Sequence, residues 1–201
     1  MTTYAYPTLS RVPTSMTLDF VSNTDIFRSP LTGAMQTIDR SGEHLVATLT
    51  YNSLKTADRA LLIAFLAKLN GQQHRVTLPF HAVDNQGAFG GTPLVNGASQ
   101  TGIFLSVDGA TINITDWMKA GDVFSVNGEM KICTADAHSN GSGVVGLYFS
   151  PRLRTSPPDS DPIETTNPVG TFMLASPTQS WNYRPGSFSD FVIQFVEDIA
   201  A

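Results

Sequence analysis

The stretch Trp117 to Asp136 reads WMKAGDVFSVNGEMKICTAD and gathers most of the residue types in this chain that could do chemistry. It holds the sole cysteine, Cys133, one of the two tryptophans, and carboxylates at Asp122, Glu129 and Asp136. A cysteine becomes a nucleophile only as a thiolate, which needs a basic or histidine neighbour. Cys133 has no histidine next to it and follows Ile132 in an alternating apolar pattern, so it reads as an inert packed thiol. Asp122 follows Gly121 at a strand entrance, where Asp caps a turn. Asp136 and His138 lie in the polar loop TADAHSNGSG, without the alternate acidic residues and later Glu of a calcium loop.

Outside this stretch the chemistry thins further. GAFGG lacks the strand-turn-helix setting of a dinucleotide loop, and no nucleophile elbow, phosphate loop or His-Glu-x-x-His motif occurs. His44, His74 and His81 fall on or beside separate predicted strands. Asp159 and Asp161 sit in a Pro-rich strap, not in a rigid acid/base pair. The reading is therefore no catalytic residue, no metal site and no cofactor, and an activity other than catalysis.

The elements around these residues are mostly short strands. Gly and Pro punctuate the chain at short intervals. One segment differs: TADRALLIAFLAKLNGQ predicts a helix over about 56–70, capped by Thr56, with Asp58 in the first turn and Gly71 as the stop. Leu61, Leu62, Phe65, Leu66 and Leu69 form its apolar face, and Ala60, Ala64 and Ala67 its back. EHLVATLTYN, HRVTLPF, GTFMLA and FSDFVIQFVEDI read as strands, the last with Phe191, Ile193 and Phe195 on one apolar face. Around Asn127-Gly128, a two-residue loop would set Phe124 and Val126 beside Glu129 and Lys131. A three-residue loop pairs Val126 with Met130 and Phe124 with Ile132, and the apolar pattern selects that register. Turn-rich segments at DNQGAFGGTP and TSPPDSDPIETTNP bound a small domain of residues 82–167, inserted into one of residues 1–81 and 168–201.

Composition narrows the partners. Charged residues are 14 %, against roughly 25 % in an average soluble domain, and the net charge is −5 with no basic cluster. That argues against a nucleic-acid footprint and suits either a neutral β-rich surface or one held against other subunits. No window approaches the ~18 apolar residues of a membrane span, and the start of the sequence lacks a signal-peptide pattern. The lone cysteine fits synthesis in a reducing cytoplasm.

The order of segments carries a resemblance. An extended arm with YPTLSRVPTS precedes SPLTGAMQTIDRSGEHLVATLTYNSL and the helix ADRALLIAFLAKLNGQ. A strand ending in LPF follows, then GGTPLVNGASQTG, WMKAGDVFSVNGEMKICTAD, LYFSPRLRTSP and NPVGTFMLA. In this order the chain resembles the distal tail proteins and lambda-type minor tail proteins of long-tailed bacteriophages. The resemblance implies a mainly β fold: a β-sandwich-like ring domain with one flanking helix, interrupted by a small β-barrel. It implies a structural virion protein of the tail tip, made in the bacterial cytoplasm, six copies forming a ring. The implied partners are further copies, the tail-tube protein, and the tip hub and tape-measure proteins. A head-tail connector or tail terminator ring is a related alternative. A host-surface binding module is another, for which exposed Trp117, Phe104 or Tyr148 would speak. Tyr4, Tyr6, Leu9 and Val12, in an arm with no clear partner in its own chain, are the interface candidates.

Overall fold

The computed structural model describes residues 1–82, 84–184 and 188–199; positions 83, 185–187 and 200–201 lie outside the described residues. The chain is mainly β with one helix among the described residues. Strands β1 (Thr3–Ala5), β2 (Ser15–Val21), β3 (Thr24–Arg28), β4 (Met35–Asp39) and β5 (His44–Leu54) precede helix α1 (Thr56–Leu69). After it come β6 (Arg75–Pro79), β7 (Gly91–Val95), β8 (Gly102–Ala110), β9 (Val123–Val126), β10 (Glu129–Cys133) and β11 (Val145–Leu153). The chain closes with β12 (Val169–Leu174), β13 (Asn182–Arg184) and β14 (Phe188–Glu197).

The larger sheet runs β1-β6-β12-β14-β5-β2, with β13 also paired to β14. Only β1 with β6 is parallel among its pairs. Its centre is β14 against β5, where Phe191, Ile193 and Phe195 lie opposite Tyr51, Leu49 and Ala47, all buried. Alternation puts Val192 outward, 64 % exposed. Helix α1 covers the inner face with Leu62, Phe65, Leu66 and Leu69.

Three details of the helix depart from expectation. Strand β5 runs to Leu54, so the single linking residue Lys55 takes the N-cap position with no side-chain cap, and Thr56 is already helical. At the other end Asn70, φ 49°, takes the left-handed cap ahead of Gly71. Leu61 is 52 % exposed because it shares the Ala57–Ala64–Lys68 row, not the row of Leu62 and Phe65.

The second sheet runs β7-β8-β11-β10-β9, antiparallel throughout. Its two edge strands meet one segment, the Pro-rich strap. Val95 N–H donates to Asp161 O and Ile163 N–H to Pro93 O on the β7 side. On the β9 side, Glu164 and Ser125 exchange both backbone hydrogen bonds at 2.9 Å. The strap thus joins the two edges that an open sheet would leave unpaired. Inside lie Trp117, Phe124, Phe149, Leu105, Leu147 and Val107, all fully buried. Trp117 is stitched to the wall by its indole N–H on Gly90 O at 3.1 Å.

The register of β9 and β10 corrects the expectation. Val126 faces Glu129, Ser125 faces Met130 and Phe124 faces Lys131, so the loop is the two-residue Asn127-Gly128. Both loop residues sit in the left-handed region, φ 50° and 74°, as a type I′ turn requires. The apolar pattern points to a three-residue loop because charges beside Phe124 and Val126 are costly unless paired. The cost is offset because Glu129 and Lys131 are paired and bonded to backbone. The ribbon is moreover buried on both sides. Val123 and Met130 pack into the core of the larger sheet, while Phe124 and Val126 pack into the barrel. Thr171 N–H on Gly128 O ties the turn to β12.

Candidate functional site

Two arrangements hold the polar and apolar groups that could act beyond packing. The first is a buried charge cluster where barrel and large sheet meet. Beyond Ser150 strand β11 leaves β10, and the side chains of β10 take over the hydrogen bonds. The Glu129 carboxylate accepts the N–H groups of Arg154 and Thr155, both at 3.0 Å. The Lys131 ammonium donates to Arg152 O at 2.9 Å and pairs with Glu129 at 2.7 Å. From the large sheet, Glu43 pairs with Arg152 Nε at 2.7 Å and also accepts its backbone N–H. Arg154 reaches the carbonyl of Glu43 and lies 3.8 Å from Glu197, whose carboxylate accepts Leu45 N–H.

Burial and pairing compete at each group. Desolvation pulls the Lys131 ammonium below its ordinary range against the attraction of Glu129. Desolvation pushes Glu197 up, more than Leu45 N–H and the nearby cations lower it. At Glu43 desolvation also raises, but the Arg152 guanidinium and N–H outweigh it and hold the carboxyl at about 2. The cluster clamps two sheets together, with Glu43 Oε2, Arg154 Nε and Glu197 Oε1 left without a hydrogen-bond partner, and Glu129 and Glu197 line a cavity of about 220 Å³ beside Thr155 and Thr171. It was hidden in the sequence because its members lie far apart. The signal was there: Glu129/Lys131 are i,i+2 charges on one face of β10, and Arg152/Arg154 an i,i+2 pair at and just past the end of β11, in a chain poor in charge.

The second arrangement is the N-terminal arm, and here an expectation is corrected. The arm has partners in its own chain because β1 extends the sheet edge, Tyr4 pairing beside Val76. Tyr4 stacks edge-on to His74 and takes the Lys68 ammonium 4.1 Å over its ring. Tyr6 meets Phe65 and Phe195 edge-on, and its hydroxyl lies 2.8 Å from that of Tyr51. Burial pushes the Tyr51 phenol up to about 12. Ser10 then binds Asp58 in the first turn of α1 through both N–H and hydroxyl, at 3.0 and 2.5 Å, which holds that carboxyl below its usual range. Leu9 is half-buried, and Val12 is 72 % exposed. Between arm and body lies an open groove of about 210 Å³, walled by Tyr6, Leu9, Val12, Tyr51, Pro79 and His81.

No family model and no curated protein matches the chain.

The remaining sequence candidates resolve singly. Cys133 is buried, donates to Ala135 O, and burial raises its thiol above the ordinary range. Asp122 accepts the N–H groups of Gln86, Gly87 and Lys119, the turn role its position suggested. His138 and Asp136 bond to the loop backbone at Asp116 and Ala120. Among the described residues no three His, Cys, Asp or Glu side chains gather as metal ligands would. Of the aromatic candidates Trp117 is core, whereas Phe104 and Tyr148 are exposed, facing each other across β8 and β11 with centroids 5.0 Å apart. The Phe104 ring lies over Gly146, where a Cβ would meet it at 2.9 Å.

The largest feature missed in the sequence is the ribbon β3–β4. Every residue of both strands is exposed, including Ile26, Phe27, Met35 and Ile38, and Leu31 at its tip is 94 % exposed. Its base is held by Arg40 N–H on Asn23 O and by Asp39 against Arg152. The period-2 signal was weak there, because apolar residues are divided between both faces of the ribbon. No helix of the described chain is long and apolar enough to cross a membrane.

Proposed function

We propose that this chain is a structural virion protein of a phage tail tip, whose copies form a ring joining the tail tube to the tip hub. The observation that carries the reading is the β3–β4 ribbon. A two-stranded ribbon alone is marginally stable in water. This one exposes five large apolar side chains on both faces and the tip, so it calls for a surface outside its own fold. The resemblance in segment order supplies the identity of the assembly, with six copies as the expected number. Within it, the arm residues Tyr4, Tyr6, Leu9 and Val12 serve contacts between subunits, the last three through the groove they line. The tail-tube, hub and tape-measure proteins are the further partners. The clamp at Glu43, Glu129, Lys131, Arg152, Arg154 and Glu197 suits a rigid building block, since it fixes barrel to sheet.

The test is localisation in the particle. Antibody against this chain should label the tail end distal to the head; label at the head-proximal end would favour a connector or terminator ring instead. A second reading, a host-glycan binding module, draws on the exposed Phe104–Tyr148 pair, since sugar rings stack on aromatic faces. The same pair also shields the backbone at Gly146, a sufficient structural reason for Phe104. Retained receptor binding after Tyr148→Ala would count against that second reading.

A further inference from the structure

We propose that Asn127-Gly128, the turn between β9 and β10, is a self-modification site: Asn127 loses its side-chain nitrogen as ammonia, becomes aspartyl or isoaspartyl, and so loosens the clamp between barrel and large sheet.

The sequence offers four Asn-Gly pairs, at 70–71, 96–97, 127–128 and 140–141. Asn is among the thermolabile residue types. A following Gly has no Cβ, so its backbone nitrogen can approach the asparagine side chain closely. That nitrogen attacks Asn Cγ. The N–Cγ bond forms, the Cγ–Nδ2 bond breaks, and Nδ2 leaves as ammonia with the proton of the glycine nitrogen. The product is a five-membered imide. Water opens it at Cγ to give Asp, or at the backbone carbonyl to give isoaspartate. Water is the sole co-reactant, and nothing is oxidised or reduced.

Hydrogen bonds separate the four pairs. The Asn70 amide donates to Gln73 Oε1. Gly97 N–H, the nucleophile of its pair, donates to the Asp159 carboxylate at 2.8 Å, and Asn96 Nδ2 lies 3.4 Å from Ser106 Oγ. Asn140 Oδ1 accepts the N–H groups of Ser142 and Val144, both at 2.9 Å. Each of these bonds must break before its pair can react, which slows the step roughly two- to tenfold for a bond of ordinary strength. Asn127 is exposed, and among the described residues neither its side chain nor Gly128 N–H has a hydrogen-bond partner. The bond that ties the turn to β12 takes the Gly128 carbonyl and leaves the reacting nitrogen free.

The surroundings of the turn give the reaction its consequence. Asn127 and Gly128 line the cavity of about 220 Å³ together with Glu129, Glu197 and Asp198. A new carboxylate there meets three others, and like charges disfavour one another. The isoaspartyl product also routes the backbone through the former side chain. That adds a carbon to a two-residue type I′ turn, whose geometry sets the register of β9 on β10. Glu129, the next residue, carries the clamp to Lys131, Arg154 and Thr155.

The experiment ages the full-length chain at mildly alkaline pH, native and in urea, and maps the gain of one mass unit at each pair by peptide mass spectrometry. In the native protein Asn127 should convert roughly two- to tenfold faster than each of the other three. In urea, where the protecting bonds are lost, the four should convert at similar rates. A faster native conversion at 70, 96 or 140 would overturn the proposal. So would an equal lead for Asn127 in urea, which would trace the preference to local sequence. The aged wild type should unfold at lower urea than the fresh protein. Asn127→Gly, which the turn accepts and which cannot react, should keep its midpoint on ageing. A converted wild type with an unchanged midpoint, or an equal loss in aged Asn127→Gly, would overturn the loosening of the clamp.

Discussion

The carboxylate of Glu129 lies 2.7 Å from the ammonium of Lys131, two residues along the same strand, with Lys131 fully buried. Side chains at i and i+2 share a face, so the strand itself sets this pair. Its oxygens and protons then replace the ladder that β11 abandons. Breaking a buried pair by removing one partner typically costs about 3–5 kcal/mol, because the other charge is left stranded. Lys131→Met should therefore destabilise strongly in urea unfolding. The double variant Lys131→Met with Glu129→Gln should cost less than the sum of the singles, by about 1 kcal/mol or more. Strictly additive losses would show that the two groups act independently.

Glu43 makes stability depend on acid. Its carboxyl is held at about 2, below the ordinary 4.5, by Arg152. A depressed carboxylate contributes stability that is full above the unfolded value and lost as pH falls through the folded one. The loss should fall between pH 4.5 and about 2 and amount to on the order of 2 kcal/mol, discounted because Arg152 is partly exposed. Melting temperatures of wild type and Glu43→Gln across that window should converge as pH drops. Parallel curves would contradict the assignment.

Helix α1 anchors the large sheet through Leu62 and Phe65, 0 and 8 % exposed. Truncating either to Ala should cost about 2–5 kcal/mol. Leu61→Ala, on the outer row, should stay within about 0.5 kcal/mol. Equal losses for Leu61 and Leu62, read from urea midpoints, would mean the helix is turned differently.

The arm is part of the fold as well as a wall of the groove. Deleting residues 1 to 13 removes β1, the Tyr6–Tyr51 hydroxyl pair and the Ser10–Asp58 clamp. Tyr6 and Leu9 are only partly buried, so each contributes on the order of 1 kcal/mol of burial, and the loss should reach about 2 kcal/mol. An unchanged thermal midpoint in the truncated chain would return the arm to the status of a free tail.

These contrasts show where the sequence was legible. Helix α1 and the strands at 44–54, 75–79, 169–174 and 188–197 follow from strong periodicity and clear stops. The β9–β10 register was misread because pattern alone treats charge as outward. Glu129 and Lys131 point inward, held by backbone groups from a distant strand, which no local window reveals. The arm was misread for the same reason: Tyr6 and Ser10 find Tyr51 and Asp58 more than 40 residues away. The ribbon at 24–39 left almost no trace, since a strand with no buried face has no period to show.

The most direct test of the account is cryo-electron microscopy of virions that contain this protein. The account predicts a ring of this chain, six-fold in symmetry, at the end of the tail tube distal to the head. Density for this chain at the head-proximal end, or intact infectious particles that lack it, would contradict it.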